Sequence, residues 1–201
     1  TTEKVTSLDV AKKIGVSQSA VSRVFTPGAS VSNAMQDKVL KAASELGYRP
    51  NMLARSLNTG KSRIIGLVVS YLDNQFYPNV LESLSSKLQE SGYHILIFIA
   101  SNITKNLDQV LTEILDYQVD GIIMASVELS SVISKKIDAT GIPVILLNRS
   151  LDNKRFSSVT SNNYLGGKQI ANFLIKGGHR KISHIAGNEK ASTQRDRETG
   201  N

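Results

Sequence analysis

The spacing of apolar residues changes once along the chain, near residue 64. Before that point they recur every three or four positions in short stretches broken by glycine and proline, which predicts helices. Leu8, Ala11 and Ile14 form the first stretch, with Thr6 and Asp9 spaced as a capping-box-like pair and Gly15 as the stop. After the tight Val16-Ser17 turn, Ser17 caps a second helix whose apolar side is Val21, Val24 and Phe25. Pro27-Gly28 breaks that pattern. Ser32 then caps a third helix with Val39, Leu40, Ala43 and Leu46 inward, and Gly47 ends it. Pro50 follows, and Asn51 can cap a further short helix with Leu53 and Leu57 at i, i+4 spacing, closed by Asn58-Thr59-Gly60. Such a helix, roughly seven residues long, is too short to hold in water alone.

From Ile64 the runs become β-branched and continuous. IIGLVV, HILIFIA, GIIMA, PVILLN, SSVTS and KISHIAG read as strands. Helical patterns lie between them near 78–91, 104–117, 130–139 and 164–177. This alternation predicts a doubly wound parallel α/β sheet, in which ligands bind at the carboxyl ends of the strands. Those ends carry Asp73, Asn74, Gln75, Phe76 and Tyr77, then Asn148-Arg149, then Asn162-Asn163, and last Asn188, Arg195 and Arg197. Each residue singly also fits turn chemistry or loop solvation. Their gathering at one sheet edge suits a polar ligand, either a neutral or anionic polyhydroxylated compound or a nucleobase.

Two helices joined by a short glycine-containing turn form a helix-turn-helix. In that arrangement the N-terminal residues of the second helix reach base edges in the major groove. Here these are Gln18, Ser19 and Ser22, with Arg23 a turn on. Arginine suits the O6/N7 edge of guanine, and glutamine suits adenine. Thr6, Ser17, Ser22, Ser32 and Asn51 are the candidates for phosphate contacts. Charge points the same way. The formal net charge is +7, and residues 1–63 hold 10 Lys+Arg against 4 Asp+Glu, a net of +6. A basic module attached to a near-neutral one implies a polyanionic partner for the first part only, although a basic solvated surface gives the same count.

Other chemistries find little support. There are no cysteines, so disulfides and thiolate sites are excluded. The three histidines, His94, His179 and His184, are scattered, and no metal site or cofactor is expected. No G-x-G-x-x-G follows the first strand, and neither a P-loop nor a G-x-S-x-G elbow occurs, so the chain is not expected to be an enzyme. No apolar run approaches the roughly 20 residues that span a bilayer, and TTEKVTSLDV lacks the apolar core of a secretory signal. A soluble cytoplasmic protein is expected, with no membrane partner. A solute-binding module with an incidental basic extension is the competing reading.

The order of these pieces resembles the lactose-repressor/purine-repressor family of bacterial regulators, from Val5 to Gly200. DVAKKIGVSQSAVSRV and GYRPNMLARSL are together highly specific for it, and GIPVILLNR, SVTSNNYLGG, GHRKISHIAG and STQRDRETG extend the match. The resemblance implies a sequence-specific transcriptional regulator, most often a repressor. A small-molecule effector (a sugar, nucleobase or similar polar metabolite) would control its affinity for operator DNA. Gln18, Ser19 and Arg23 would read bases. Asn51 to Leu57 would form a hinge helix, two copies of which sit in the minor groove of DNA bound by a homodimer, with Leu57 as the apolar wedge. The sheet domain would be periplasmic-binding-protein-like, with Asp73, Phe76, Asn148 and Arg195 on the effector. The implied domains are 1–50 for the reader, 51–63 for hinge and linker, 64–161 for one lobe and 162–201 for the start of a second, incomplete lobe. Asn148 and Asn162 stand where the family often has Asp, which removes two acidic acceptors for sugar hydroxyls.

Overall fold

A computed structural model describes residues 4–26, 28–51, 56, 60–70, 75–100, 107–127, 129–151 and 156–200. The chain divides into two compact units, residues 1–60 and 61–201.

The first unit is helical, with α1 Ser7–Ile14, α2 Gln18–Val24 and α3 Asn33–Leu46. Each helix is bounded by its own chemistry. The Asp9 carboxylate accepts from the Thr6 amide at 2.8 Å and from the Thr6 hydroxyl at 2.7 Å. These bonds hold the exposed Asp9 carboxyl below its usual range, so this tether is complete at neutral pH and is lost as pH falls through the lowered value. Ser17 Oγ accepts from the Ala20 amide, and Ser32 Oγ accepts from the Met35 amide. Gly15 and Gly47 close α1 and α3 in the left-handed conformation, each with φ 68°. Val10, Ala11, Val21, Val39, Ala42 and Ala43 are buried together, and Phe25 meets Tyr48 edge-on beside them. Leu40, expected inward, is exposed, and so is Leu8 of the first apolar stretch. On α3 the buried face is set by Val39, Ala42, Ala43 and Leu46, and Leu40, one residue from Val39, is turned about 100° off it.

The second unit holds five parallel strands: β1 Ile64–Val69, β2 His94–Ile99, β3 Gly121–Ala125, β4 Val144–Leu147 and β5 Ser157–Val159, in the order β2-β1-β3-β4-β5. Helices α4 Phe76–Glu90, α5 Leu107–Asp116, α6 Ser131–Ala139, α7 Asn163–Lys176 and α8 Ser192–Gly200 complete it. Alternate strand residues feed two cores. Val68, Ile122, Met124, Val144 and Leu146 pack with Val110, Ile114 and Ile137 of α5 and α6. Leu67, Val69 and Ala125 pack instead with Tyr77 and Leu81 of α4. A period-two split of this kind is what a sheet covered on both faces requires.

One expected strand does not form. KISHIAG lies in residues 179–188, which carry no regular structure, and Ile185 is 97% exposed. A strand is held by hydrogen bonds to a neighbour, and among the described residues β5 pairs only with β4 and none pairs with this segment. Conversely α8 has no apolar periodicity in its sequence, yet it packs closely on α7.

The entry to β1 is fastened by a carboxylate. Asp120 accepts from the Ser62 amide at 2.9 Å, the Ser62 hydroxyl at 3.1 Å and the Arg63 amide at 3.1 Å. Arg63, at φ 56°, reaches over the Tyr93 ring and donates to the Ser91 carbonyl. Asp120→Ala is expected to cost about 1–3 kcal/mol by leaving these donors unpaired, and Asp120→Asn less. Urea denaturation of the two variants checks this, and equal stability of Asp120→Ala and wild type would remove Asp120 as the fastening.

Candidate functional site

In the first unit an open concavity of 660 Å³ lies beside the start of α2. Thr6, Gln18, Ser19, Ser22 and Asn51 line it, so the fold brings together five of the residues singled out from sequence. Lys4 and Arg49 also line it and add two cations that the sequence pattern does not single out. Their signal is present all the same, since both flank helix ends in a basic segment. Ser17, Arg23 and Ser32 are not in the lining. Ser17 and Ser32 use their hydroxyl acceptors for capping, and Arg23 is exposed at the last turn of α2. Gln18 Nε2 donates to Ser7 Oγ at 2.9 Å, which holds the amide across from α2 to α1. Leu57 lies outside the described residues, as does most of the expected hinge helix.

In the second unit a 180 Å³ cavity opens at the carboxyl ends of β1, β3 and β4, where the alternating pattern places a ligand. Ser70, which follows β1, donates to the Ser126 carbonyl at 3.0 Å. Ser126 and Asn148 follow β3 and β4, and both adopt the left-handed conformation, with φ 56° and 57°. Their side chains meet there. Asn148 Nδ2 donates to Ser126 Oγ at 3.2 Å and to the Tyr77 hydroxyl at 3.4 Å, and that hydroxyl bonds Ser126 Oγ in turn. Left-handed non-glycine residues cost energy and mark positions that the surroundings over-determine.

Arg149 and Ser150 carry the wall onward to α8. Arg149 Nη1 donates to Thr193 Oγ1 at 3.0 Å, and the Ser150 amide donates to Ser192 Oγ at 2.9 Å. Ser150, Asn188, Lys190 and Ser192 line the same cavity. The remaining candidates are not among its described lining residues. Phe76 begins α4 and is exposed. Arg195 is exposed on α8 and donates to the Lys190 carbonyl at 3.1 Å, which braces the Lys190 turn. Asn162 caps α7 by accepting from the Leu165 amide. Asp73 lies outside the described residues. Ser126 and Ser192 line the cavity, and Thr193 supports Arg149 as its acceptor, although the sequence pattern does not single them out. Ser126 directly follows a predicted strand, so its signal is present, whereas the two α8 residues require a helix that the pattern does not show. Among the described residues no cluster of metal-ligating side chains occurs, and no helix is long and apolar enough to cross a membrane.

A capped helix-turn-helix followed by a parallel sheet with a polar cavity at its strand ends defines a class of two-unit chains that pair a reader-type module with a binding-protein-type module. Residues 6–51 match the model of bacterial regulatory proteins of the lacI family, and residues 62–201 match that of periplasmic binding proteins and the sugar-binding domain of the LacI family. The chain belongs to the LacI family. It is 32% identical to the HTH-type transcriptional regulator MalR of Streptococcus pneumoniae, over 98% of this chain and 61% of that protein. It is 30% identical to the ribose operon repressor of Haemophilus influenzae, over 97% of this chain and 58% of that protein. The lac repressor dimer bound to operator and the anti-inducer ONPF superposes with a TM-score of 0.85 at 26% identity, covering 98% of this chain and 60% of that one. The chain thus spans about three fifths of the relatives it matches, which are named as regulators and repressors rather than enzymes.

Proposed function

We propose that the protein is a sequence-specific transcriptional repressor whose operator affinity is set by a small polar effector held at the strand ends of its sheet domain. The observation that carries this reading is the concavity gathering Lys4, Thr6, Gln18, Ser19, Ser22, Arg49 and Asn51 around the start of α2. A helix N-terminus flanked by hydroxyls, amides and cations is what a duplex needs, with phosphates taken at the rim and base edges by the helix. Gln18, Ser19 and Arg23 are the base readers. Thr6, Ser17, Ser22, Ser32 and Asn51 are the phosphate contacts, joined by Lys4 and Arg49. The protein acts in the cytoplasm as a homodimer, with Leu57 of each copy wedged at the centre of a near-palindromic operator.

Domain roles follow the sequence boundaries: a reader over 1–50, a hinge over 51–63, one lobe over 64–161 and the beginning of another over 162–201. Asp73, Phe76, Asn148 and Arg195 serve the effector, Asn148 through its contacts with Tyr77 and Ser126 and Arg195 through the turn it braces. Effector binding shifts the relation of the lobes, and the hinge helices then order or melt.

Footprinting of the complete protein on its own upstream region tests the proposal. The expected result is a protected near-palindrome of roughly 14–20 base pairs with a hypersensitive centre. Absence of protection would leave a solute-binding module with a basic extension. Arg23→Ala is expected to weaken cognate binding by about 1–3 kcal/mol and to relax preference at one base position. An unchanged base preference removes Arg23 as a reader.

A further inference from the structure

From the bond that joins the first residues of α1 and α2 we infer that Ser7 determines specificity: it positions the Gln18 amide so that the reader selects adenine over guanine. This rests on the reading of Gln18 as a base reader.

Ser7 and Gln18 open α1 and α2, and both line the concavity beside α2. Gln18 is exposed and Ser7 half-buried. Val10 and Ala11 of α1 are buried together with Val21 of α2, so packing holds the Ser7 hydroxyl at a fixed place relative to the start of α2. The 2.9 Å bond from Gln18 Nε2 to Ser7 Oγ therefore ties a long side chain to a rigid point. A glutamine gives up rotamer freedom when it meets a base, and here part of that loss is already taken in the free protein.

The direction of the bond matters more than its strength. A carboxamide has one acceptor oxygen, Oε1, and two Nε2 hydrogens. With one hydrogen given to Ser7, Oε1 and the second hydrogen remain for the groove. That pairing of acceptor and donor complements adenine, which offers the N6 hydrogen and the N7 acceptor. Guanine offers two acceptors, O6 and N7, and sets one of them against Oε1. An amide released from Ser7 can turn and give both Nε2 hydrogens to guanine. Ser7 Oγ accepts from Gln18, so its own hydrogen is for donation, and a backbone phosphate that took it would make Oγ the stronger acceptor. Ser7 thereby links register on the backbone to the reading of a base.

The test is selection by the complete protein from a duplex pool randomised over about 20 base pairs, followed by sequencing. Wild type should enrich a site containing an adenine that Gln18→Ala no longer selects. Ser7→Ala should lower the adenine-over-guanine preference at that position roughly 3- to 10-fold, with the other positions and the melting temperature unchanged. Ser7→Thr keeps the hydroxyl and should keep most of the preference.

An unchanged preference in Ser7→Ala, beside a lost adenine in Gln18→Ala, would overturn the role of Ser7 and leave Gln18 standing as a reader. So would uniform weakening across the site, a Gln18-dependent position that selects guanine, or an equal loss in Ser7→Thr. The base-reader reading fails separately. No enriched site with wild type, or a Gln18→Ala profile equal to that of wild type, would sink that reading and this inference with it.

Discussion

Raising the salt from about 50 to about 200 mM should weaken operator binding on the order of a thousandfold. Of the net charge of +7, residues 1–63 carry +6, and Lys4 and Arg49 border the concavity at α2. Each phosphate neutralised by such a cation releases condensed counterions, and the logarithm of affinity falls by about 0.9 per contact for each log unit of salt. About six contacts give the stated loss. Fluorescence anisotropy on an operator fragment across a salt series measures the slope directly. A slope near zero would mean that the basic surface of the first unit does not face the duplex, whatever its net charge. Non-specific DNA should follow nearly the same slope, because it keeps the phosphate contacts and loses only those to bases.

Gly167→Val should unfold the pairing of α7 with α8, whereas Gly166→Ala one residue away should stabilise the protein. A side chain at Gly167 would fall on the backbone carbonyl of Arg197, and one at Gly200 on the backbone carbonyl of Tyr164. Backbone cannot turn aside as a rotamer can, so the helices must separate. Separation would also stretch the 2.8 Å bond from Arg197 Nε to Asn163 Oδ1 and loosen Ser192 and Thr193 from the cavity wall. Overpacking of this kind costs about 1–3 kcal/mol and more for a branched side chain. A methyl group at Gly166 would meet no heavy atom within 4 Å, and replacing a helical glycine by alanine gains about 0.5–1 kcal/mol. Thermal unfolding of the two variants should therefore move in opposite directions. A shift of the same sign and size in both would mean that α7 and α8 do not pack through these glycines.

Much of this architecture is legible in the residues themselves. Ser17 and Ser32 mark helix starts and Gly15 and Gly47 mark stops because capping is local chemistry, complete within four residues. The strands from β1 to β5 are legible because β-branched runs and the lengths between them fit few alternatives. KISHIAG carries an equally good strand pattern and forms none, since a strand exists only with a hydrogen-bonded neighbour and pattern says nothing of neighbours. Helix α8 is illegible for the opposite reason. STQRDRETG has no apolar stripe, and its helix is held by backbone proximity to α7 at two glycines.

The cavity shows the same limit. Sequence places Asn148, Arg149 and Arg195 at strand ends alike. Only the fold shows that Arg149 lines the cavity while Arg195 braces a neighbouring turn.

The left-handed pair at Ser126 and Asn148 bears on how ligand recognition is divided between folding and binding. Holding Ser126 there costs about 1 kcal/mol or more, and Asn148 less because asparagine tolerates this region, and the sheet absorbs that strain when the chain folds. The network of Tyr77, Ser126 and Asn148 is then in place before any ligand arrives. In the proposed effector reading, an incoming molecule would lose little of its affinity to arranging these groups. On that reading selectivity at this end of the sheet would be set at folding, and mutations that relax the backbone there would be expected to give a sturdier but less discriminating site.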